Sequence, residues 1–522
     1  MTPREDALNR LRSQEPWDVV VIGGGATGLG SAIDAATRGY RTLLLEAHDF
    51  AKGTSSRSTK LVHGGVRYLA QGQIALVREA LRERGRLLRN APHLVHDKDF
   101  LIPAYRRWER PYYAMGLWLY DRLAGRLGLK PSRSVDKNEA LRLVPTLEPA
   151  NLRGGVVYQD GQFDDARLAI ALVRTFDDHG GTALNALAVT GFSKNAAGRI
   201  VGVLASDTET GETFEIATRG VINATGVFVD HLRRLDEPGA ASLIAPSQGT
   251  HIVLERAFLP GETAVLVPKT DDGRVVFAIP WNNHVIVGTT DTAVKETSIE
   301  PRPLPEEVDF LLRHAARYLT RDPTHKDVLS TFAGLRQLIS KGKPGSTRTS
   351  SLSREHAAIV SASGVVTITG GKWTTYRRMG EDAVDLVAQS AALPSRPGIT
   401  ADLRLHGWTE RKRDDGLQTY GADAEALAKV LRERPHWDEL IHQSLHPYRL
   451  GEVAWAAREE MARTVEDVLA RRMRALFLDA RAAIEAAPKV AEILAEELGR
   501  DEGWVEEQIK AFKDVASGYC LD

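Results

Sequence analysis

Cysteine is almost absent from this sequence, since Cys520 is the only one among 522 residues. A single cysteine excludes an intramolecular disulfide, a CxxC redox pair and a metal site built from thiolates. We therefore predict no bound metal. If the chain carries out redox chemistry, a cofactor must carry the electrons.

Long hydrophobic runs and net charge are also lacking. No window approaches ~20 uninterrupted apolar residues, so no transmembrane span is predicted. Residues 1–16 contain no apolar segment of the kind found in signal peptides. The formal net charge of -1 gives no reason to expect a nucleic-acid partner. We expect a cytoplasmic protein of two or three domains, with peripheral attachment to the inner face of the membrane left open.

The N-terminal segment has the order strand, turn, helix, strand. An apolar, β-branched run at 17–22 precedes Gly23, Gly25 and Gly28, which match GxGxxG. The first glycine permits a tight turn, the second lets the backbone approach a pyrophosphate, and the third allows the helix to pack closely on the strand. Glu46 ends the second strand, where an acid can accept hydrogen bonds from ribose hydroxyls. This pattern predicts a dinucleotide site but does not separate FAD from NAD.

Two later segments extend this site. Residues 53–69 read GTSSRSTKLVHGGVRYL and supply small hydroxyls, glycines and cationic side chains. Such a loop suits a long cofactor that passes over backbone amides. A second glycine turn, Gly370-Gly371, follows a strand-like run at 364–369 and precedes a helix from about Thr374.

The remaining sequence reads as interspersed strands and helices. A helix with an acidic start is predicted over 164–179 and a charged helix over 73–90, and the sequence beyond 408 is mostly helical. Further strand-like runs are predicted at 155–158, 183–189, 199–205, 220–223, 275–279 and 284–287.

A series of motifs resembles one known family. SSRSTKLVHGGVRYL at 55–69 resembles the signature of the FAD-dependent glycerol-3-phosphate dehydrogenases of the aerobic, quinone-linked type. The resemblance spans nearly the whole chain. It continues through DGQFDDAR at 160–167, NATG at 223–226, GTH at 249–251, IPW at 279–281, GTTDT at 288–292, AGLR at 333–336, TGGKWTTYR at 369–377 and EMARTVEDVL at 460–469.

The resemblance implies a fold and a domain plan. The fold is an α/β, Rossmann-like FAD-binding domain of the D-amino-acid-oxidase type, with a mixed-sheet substrate cap and a C-terminal α-helical domain. We expect the FAD domain and the interleaved cap over 1–400, with the cap mainly at about 90–150 and 230–335. The helical domain is expected over 401–522.

The resemblance also implies a reaction, namely hydride transfer from C2 of sn-glycerol 3-phosphate to FAD, which gives dihydroxyacetone phosphate. The electrons then pass to a quinone. Alternatives that stay open are an oxidase that uses oxygen and an amine or 2-hydroxy-acid flavin oxidase. A non-catalytic or RNA-directed FAD protein is disfavoured by the near-neutral charge. A homodimer is a further expectation.

Four residues match family positions at the substrate, and a fifth is the candidate general base. Arg67 and Tyr68 are predicted to contact the phosphate, since a guanidinium is bidentate toward phosphate oxygens and a phenol adds a donor. Arg336 and Lys372 are predicted to bind substrate and to stabilise the developing alkoxide. His251 is the predicted general base, because its ordinary pKa near ~6.5 suits proton removal at neutral pH. A neighbouring arginine could instead lower the pKa of the alcohol.

The predicted cofactor contacts fall into two groups. Gly370, Gly371 and Thr374 are expected to place backbone amides beside the isoalloxazine ring, and Gly226 to allow close backbone approach. His63 is expected to contact the flavin or to orient its loop. The remaining predicted contacts are Gly23, Gly25, Gly28, Glu46, Ser55, Ser56, Thr59, Gly64 and Val189.

Residues 106–122 mix arginines with large apolar groups. They could lie at a membrane interface near the quinone, or they could form a core helix of the cap with snorkelling arginines. No D-x-D-x-D-G loop occurs, so calcium control of the kind found in mitochondrial members is not expected. The absence of a long insertion between Arg336 and Thr369 favours the dehydrogenase over the oxidase form.

Overall fold

The computed structural model describes residues 1–13, 15–268, 270–271, 273–339 and 356–521. Within helix Val66–Ala70 the side chains of Arg67 and Ala70 lie outside that description. Everything below refers to this described part of the chain.

The α-helices, numbered in chain order, are α1 (Arg4–Arg12), α2 (Ala26–Thr37), α3 (Val66–Ala70), α4 (Ile74–Asn90), α5 (Glu109–Ala124), α6 (Lys137–Leu143), α7 (Asp165–Asp178), α8 (Val229–Asp236), α9 (Pro305–Ala316), α10 (Tyr376–Ser390), α11 (Ala424–Val430), α12 (Gly451–Glu460), α13 (Ala475–Leu478), α14 (Ala480–Leu498) and α15 (Glu502–Ala516).

The strands are β1 (Trp17–Ile22), β2 (Thr42–Leu45), β3 (Leu61–Val62), β4 (Val95–Pro103), β5 (Arg133–Val135), β6 (Gly155–Phe163), β7 (Thr182–Leu184), β8 (Leu187–Lys194), β9 (Ile200–Asp207), β10 (Thr213–Asn223), β11 (Ile244–Glu255), β12 (Ala264–Val267), β13 (Val276–Trp281), β14 (His284–Gly288), β15 (Thr292–Ala293), β16 (Val328–Ile339), β17 (His356–Val360) and β18 (Val366–Gly370).

The first sheet carries the nucleotide-binding unit. Its main path runs β17-β18-β10-β1-β2-β7, with β8 and β9 attached beyond β10. Strands β18, β10, β1, β2 and β7 pair with one another in parallel, so their carboxyl ends share one edge, whereas β17 is antiparallel to β18. Strand β1 is almost wholly apolar and buried, as expected of a central parallel strand covered on both faces. Helices α2 and α10 pack together, and a Cβ on Gly380 would lie 2.4 Å from the Gly30 carbonyl carbon.

The second sheet is mixed and forms the other wall of the site. Its order is β15-β11-β14-β13-β12-β4-β6-β3, with β16 on β11 and β5 on β6. The long antiparallel pair β11–β16 places His251 opposite Phe332 and Ser247 opposite Arg336. Strands β12 and β4 pair in parallel. This architecture confirms the predicted FAD-binding α/β fold with a mixed-sheet cap.

Helices α11–α15 form the C-terminal helical region, whose buried apolar core also includes Val253, Trp281, Ile286 and Phe332 of the second sheet. Buried ion pairs join it to the first sheet's helices and loops. Glu460 accepts a bidentate pair from Arg167 at 2.7 and 2.8 Å, and Asp49 accepts from Arg471 and Arg472. The mostly helical character predicted beyond residue 408 is confirmed, whereas the domain boundaries remain predictions.

One predicted strand is divided in the structure. The run 183–189 forms two strands, β7 and β8, because Ala186 adopts a left-handed conformation with φ 53°. Its N–H donates to His48 O, and Leu187 N donates to Glu46 O. The chain therefore leaves β2 and joins β9. The apolar pattern gave no sign of this break.

Among the described residues, the search for membrane-spanning segments found no helix with the length and apolar character that crossing a bilayer requires.

Candidate FAD and substrate site

A single large cavity collects most of the predicted site residues. Its volume is about 1110 Å³, and both sheets contribute to its wall. It therefore has room for a dinucleotide together with a small substrate. The predicted residues that line it are Gly23, Gly25, Glu46, Ser55, Thr59, His63, Tyr68, Val189, Gly226, His251, Arg336, Gly370, Gly371, Lys372 and Thr374.

The glycine turn after β1 forms one end of the cavity. Gly23 has φ 111°, which disfavours any side chain. A Cβ on Gly28 would lie only 1.8 Å from the Gly23 carbonyl oxygen, so helix and turn touch here. Helix α2 begins after Gly25, and its first amide, Ala26 N, donates to the Ser55 hydroxyl at 2.9 Å. Its first N–H groups and its positive dipole end suit the pyrophosphate of FAD, and the cradle therefore fits this cofactor.

Glu46 lies beside this turn at the end of β2. One carboxylate oxygen accepts from Gly24 N at 2.6 Å and the other from His48 N at 2.9 Å. Burial raises its pKa, although these two hydrogen bonds act against the rise. Glu46 thus fixes the turn, and hydrogen bonding to a ribose remains a prediction.

Three of the predicted cofactor residues lie outside the cavity wall. Gly28 packs against the turn as described above. Gly64 donates its N–H to the Tyr120 hydroxyl at 2.8 Å, and a Cβ there would lie 2.4 Å from Leu81. Ser56 is buried and follows the cavity-lining Ser55. These residues shape the wall from behind.

The second glycine turn forms another part of the cavity wall. Gly370 and Gly371 have φ 82° and 67°. The indole N–H of Trp373 donates to Ser55 O at 2.8 Å, and His63 N donates to the Thr374 hydroxyl at 3.2 Å. Segments more than 300 residues apart in sequence, 55–63 and 370–374, are thereby joined around one cavity.

Arg336 enters the cavity from β16 with its direction fixed. Its guanidinium donates to Gln248 O at 3.3 Å, to Thr290 O at 3.0 Å and to the Thr289 hydroxyl at 3.0 Å. Asp291 lies 3.5 Å away. Because the side chain remains one quarter exposed, part of the guanidinium faces the cavity.

Lys372 and Tyr68 meet on the same wall. The Lys372 ammonium lies 3.9 Å from the centroid of the Tyr68 ring, a cation–π contact. Arg67 precedes Tyr68 in α3, but its side chain lies outside the described residues, so its predicted phosphate contact remains a prediction.

His251 is buried on β11 at the inner end of this group. Its Nε2 shares a hydrogen bond of 2.9 Å with the Thr59 hydroxyl, and its ring stacks on Phe332 with centroids 4.7 Å apart. Among the described residues, Nδ1 has no hydrogen-bond partner. Burial, followed by the charges of Lys60 and Arg336, lowers the pKa of His251 well below its usual value. The imidazole is therefore neutral at physiological pH and able to accept a proton.

Glu307 is a structural residue of the site that the sequence interpretation missed. This buried carboxylate at the start of α9 accepts from the hydroxyls of Thr250, Thr290 and Thr292 at 2.6–2.8 Å. It also accepts from Gln248 Nε2 at 2.8 Å. Gln248 and Thr290 are the residues whose carbonyls hold Arg336. The Leu-Pro-Glu-Glu start of α9 is a sequence signal for a helix N-terminus, but not for this contact.

We expect Glu307→Gln to lower both stability and activity. An amide nitrogen cannot accept from hydroxyl donors, and losing a hydrogen bond to a charged group costs about 1.5–3 kcal/mol. Loosening the acceptors of Arg336 should also lower kcat/KM about tenfold. Thermal denaturation and steady-state kinetics measure the two effects. The exposed neighbour Glu306→Gln is the control, and equal behaviour of the two variants would contradict this role.

Comparison with known proteins agrees with the fold and the cavity. The model of the "FAD dependent oxidoreductase" family matches residues 18–377. The "C-terminal domain of alpha-glycerophosphate oxidase" matches residues 364–505.

Individual relatives extend the match over nearly the whole chain. A probable mitochondrial glycerol-3-phosphate dehydrogenase of Caenorhabditis elegans is 40% identical over 95% of this chain and 72% of its own. The mitochondrial glycerol-3-phosphate dehydrogenase SDP6 of Arabidopsis thaliana is 40% identical over 98% of this chain and 87% of its own. The crystal structure of the glycerol-3-phosphate dehydrogenase from Bacillus halodurans, complexed with FAD, has a TM-score of 0.81 at 30% identity. It covers 99% of this chain and 98% of its own.

The fold, the dinucleotide cradle and the family match define an FAD-dependent oxidoreductase. Within that class, the chain belongs to the family of FAD-dependent glycerol-3-phosphate dehydrogenases.

Proposed function

We propose that this protein oxidises sn-glycerol 3-phosphate at C2 to dihydroxyacetone phosphate, with FAD as the hydride acceptor. The observation that carries the proposal is that Arg336, Lys372, Tyr68 and His251 line the same cavity as the second glycine turn, with the Lys372 ammonium on the Tyr68 ring. Cations suit a phosphate ester, and a buried neutral imidazole suits removal of a hydroxyl proton.

Different residues of the chain bind the substrate, stabilise the alkoxide and accept the proton. Arg336 and Lys372 bind substrate oxygens and lower the free energy of the developing alkoxide. Tyr68 adds a phenol donor, and we assign Arg67 to the phosphate with it. His251 accepts the C2 hydroxyl proton. Bound FAD supplies the hydride-accepting chemistry, and the N–H groups of the 370–374 turn favour negative charge on it.

An amine or 2-hydroxy-acid oxidase is the alternative with the same fold. Such an enzyme needs one cation for a carboxylate, whereas both Arg336 and Lys372 line this cavity. Paired cations favour a dianionic phosphate ester over a monoanionic carboxylate.

The first test is anaerobic. The purified holoprotein is mixed with glycerol 3-phosphate, with lactate and with amino acids, and the flavin absorbance near 450 nm is followed. We expect bleaching by glycerol 3-phosphate alone. Bleaching by lactate or an amino acid, with none by glycerol 3-phosphate, would establish the alternative. Reoxidation by a soluble quinone or by oxygen then distinguishes a dehydrogenase from an oxidase.

The cavity has an apolar branch that supports a quinone as acceptor. Helix α5 lines it with Tyr113, Leu117 and neighbouring residues, opposite Leu266 and Phe277. Met115 and Trp118 also line it, although they are 68% and 56% exposed. The branch therefore reaches the protein surface at α5, which gives a lipophilic acceptor a route of apolar contacts.

The outer face of α5 supports peripheral membrane contact at the same place. Trp108 and Tyr112 are also more than half exposed. The flanking arginines that are exposed are Arg106, Arg107, Arg110, Arg122 and Arg126. Interfacial aromatics with a basic rim are typical of surfaces that bind anionic lipid. Of the two interpretations of segment 106–122, the exposed face favours the membrane over a cap core, and we place this face on the inner leaflet.

Met115→Ser with Trp118→Ser is expected to weaken binding to vesicles of phosphatidylcholine and phosphatidylglycerol about a hundredfold. Full burial of each large apolar side chain contributes about 1.5–3 kcal/mol. Reduction of a long-chain quinone should fall in parallel, while bleaching by glycerol 3-phosphate persists. Ile399→Ser, which removes a 53% exposed apolar residue elsewhere, is the control. Undiminished vesicle binding by the double variant would exclude α5 as the contact.

The proposed homodimer is tested separately by analytical ultracentrifugation in detergent. A sedimenting mass of one chain at micromolar concentration would contradict it.

A further inference from the structure

Lys60 is a fully buried cation that the proposed reaction does not use. It is 0% exposed and adopts a left-handed backbone with φ 62°, which is unfavourable for a residue with a side chain. Among the described residues, its side chain is absent from the cavity wall, whereas its neighbours Thr59 and Leu61 line it. Lys60 therefore stands directly behind the wall and cannot touch substrate.

The ammonium of Lys60 is anchored on the start of α7. It donates to Asp165 Oδ2 at 2.7 Å and to Ser56 O at 2.8 Å. Asp165 Oδ2 also accepts from Ser58 N at 3.0 Å and from the Ser58 hydroxyl at 2.7 Å. The two residues that flank Thr59 are thus tied to a single carboxylate. Arg474 of the helical region holds Asp165 Oδ1 at 3.0 Å.

Two routes lead from this anchor to His251. The first runs along the backbone from Lys60 to Thr59. The Thr59 hydroxyl then forms a hydrogen bond of 2.9 Å with His251 Nε2. The second is electrostatic. The Lys60 ammonium lies 5.2 Å from the centroid of the Phe332 ring, and the same ring stacks on His251.

We propose that Lys60, anchored by Asp165, is a positioning residue that directs the Thr59 hydroxyl toward His251 and places a buried cation against the Phe332 ring on which His251 stacks. This role rests on the proposed oxidation of glycerol 3-phosphate with His251 as the base.

The charges facing His251 support this role. Lys60 comes from the 53–60 loop and Arg336 from β16, and both lower the pKa of His251 after the larger effect of burial. The other groups packed on the ring are uncharged: Thr59, Phe332 and Gly288. Burial lowers the pKa of Lys60 itself to about 7, against the raising effect of Asp165. Lys60 therefore carries its charge mainly below neutral pH, where it adds to the larger effect of burial in opposing protonation of His251.

The test measures the rate of anaerobic flavin reduction by glycerol 3-phosphate as a function of pH. The wild type should lose rate only at low pH, because its imidazole resists protonation. In Lys60→Met the pKa of His251 rises, so the acid limb should move to higher pH by about one unit. The limiting rate should fall about tenfold from the misdirected Thr59 hydroxyl, with KM nearly unchanged.

Three further variants separate the routes. Thr59→Val keeps the charge and should lower the rate without moving the acid limb. K60M/D165N removes both charges of the buried Lys60–Asp165 pair. It should shift the acid limb of the pH profile by as much as K60M does. The measurement can therefore still be made if one of the two variants folds poorly. Lys98→Met removes another buried lysine, paired with Glu262 at 3.0 Å, and should leave the pH profile unchanged.

The outcomes also separate this proposal from the proposed function. If the wild type is not reduced by glycerol 3-phosphate, the function fails. If the wild type is reduced but the acid limbs of K60M and K60M/D165N coincide with its own, the role of Lys60 is overturned while the function stands.

Discussion

Replacement of Arg336 by methionine should lower kcat/KM for glycerol 3-phosphate by about a hundredfold to ten-thousandfold. The guanidinium is held by Gln248, Thr289 and Thr290 with part of its surface toward the cavity. Hydrogen bonds to charged groups contribute about 1.5–3 kcal/mol each. The loss of two such bonds to the substrate is about 3–6 kcal/mol, and each 1.4 kcal/mol is about tenfold. Methionine keeps the apolar stem, so packing on β11 is retained.

The kinetic pattern of Arg336 variants distinguishes binding from catalysis. If Arg336 binds substrate and transition state equally, only KM rises, whereas alkoxide stabilisation lowers kcat as well. Lysine at 336 keeps the charge but loses the planar donor set, and it should recover part of the activity. Arg313→Met, on the 55% exposed face of α9, is the control. If Arg336→Met retains kcat/KM within about threefold of the wild type, Arg336 has no direct role.

The elements that could be predicted are those whose signal is local. The glycine turn after β1 needs a left-handed residue at Gly23 and no side chain at Gly28. The GxGxxG motif predicts both features, because it places a glycine at each of these positions. The acidic start of α7 is equally local, since Asp164 caps the helix through Ala166 N and Arg167 N. Family resemblance supplied the rest of the predicted site, including Arg336 and Lys372.

The parts that were missed depend on contacts distant in sequence. Asp165 holds Lys60 across 105 positions, and Glu307 holds Thr250 across 57. No periodicity links such residues, and a buried carboxylate in a helix start resembles any other helix cap. The exposed face of α5 was ambiguous for a different reason. An amphipathic pattern identifies an apolar face without stating whether protein or lipid covers it.

Replacement of Gly28 by alanine should abolish most FAD binding. The new Cβ would lie 1.8 Å from the Gly23 carbonyl oxygen, which is backbone and has no rotamer to change. Helix α2 must therefore move away from the β1 turn. Overpacking of this kind typically costs about 1–3 kcal/mol or more. The same movement withdraws the N-terminal N–H groups of α2 from the pyrophosphate.

We expect the FAD affinity of Gly28→Ala to fall by about tenfold to a hundredfold, since about 1.4 kcal/mol corresponds to each factor of ten. The ratio of absorbance at 450 nm to that at 280 nm after gel filtration reports FAD content, and titration of the apoprotein gives the affinity. Gly239→Ala is the matched control, because a Cβ there meets nothing within 4 Å and its φ is not positive. Addition of excess FAD should restore part of the lost thermal stability in Gly28→Ala, since ligand binding stabilises the folded state by mass action. Full FAD content in Gly28→Ala would show that the turn tolerates a side chain and that the cradle is not set by this contact.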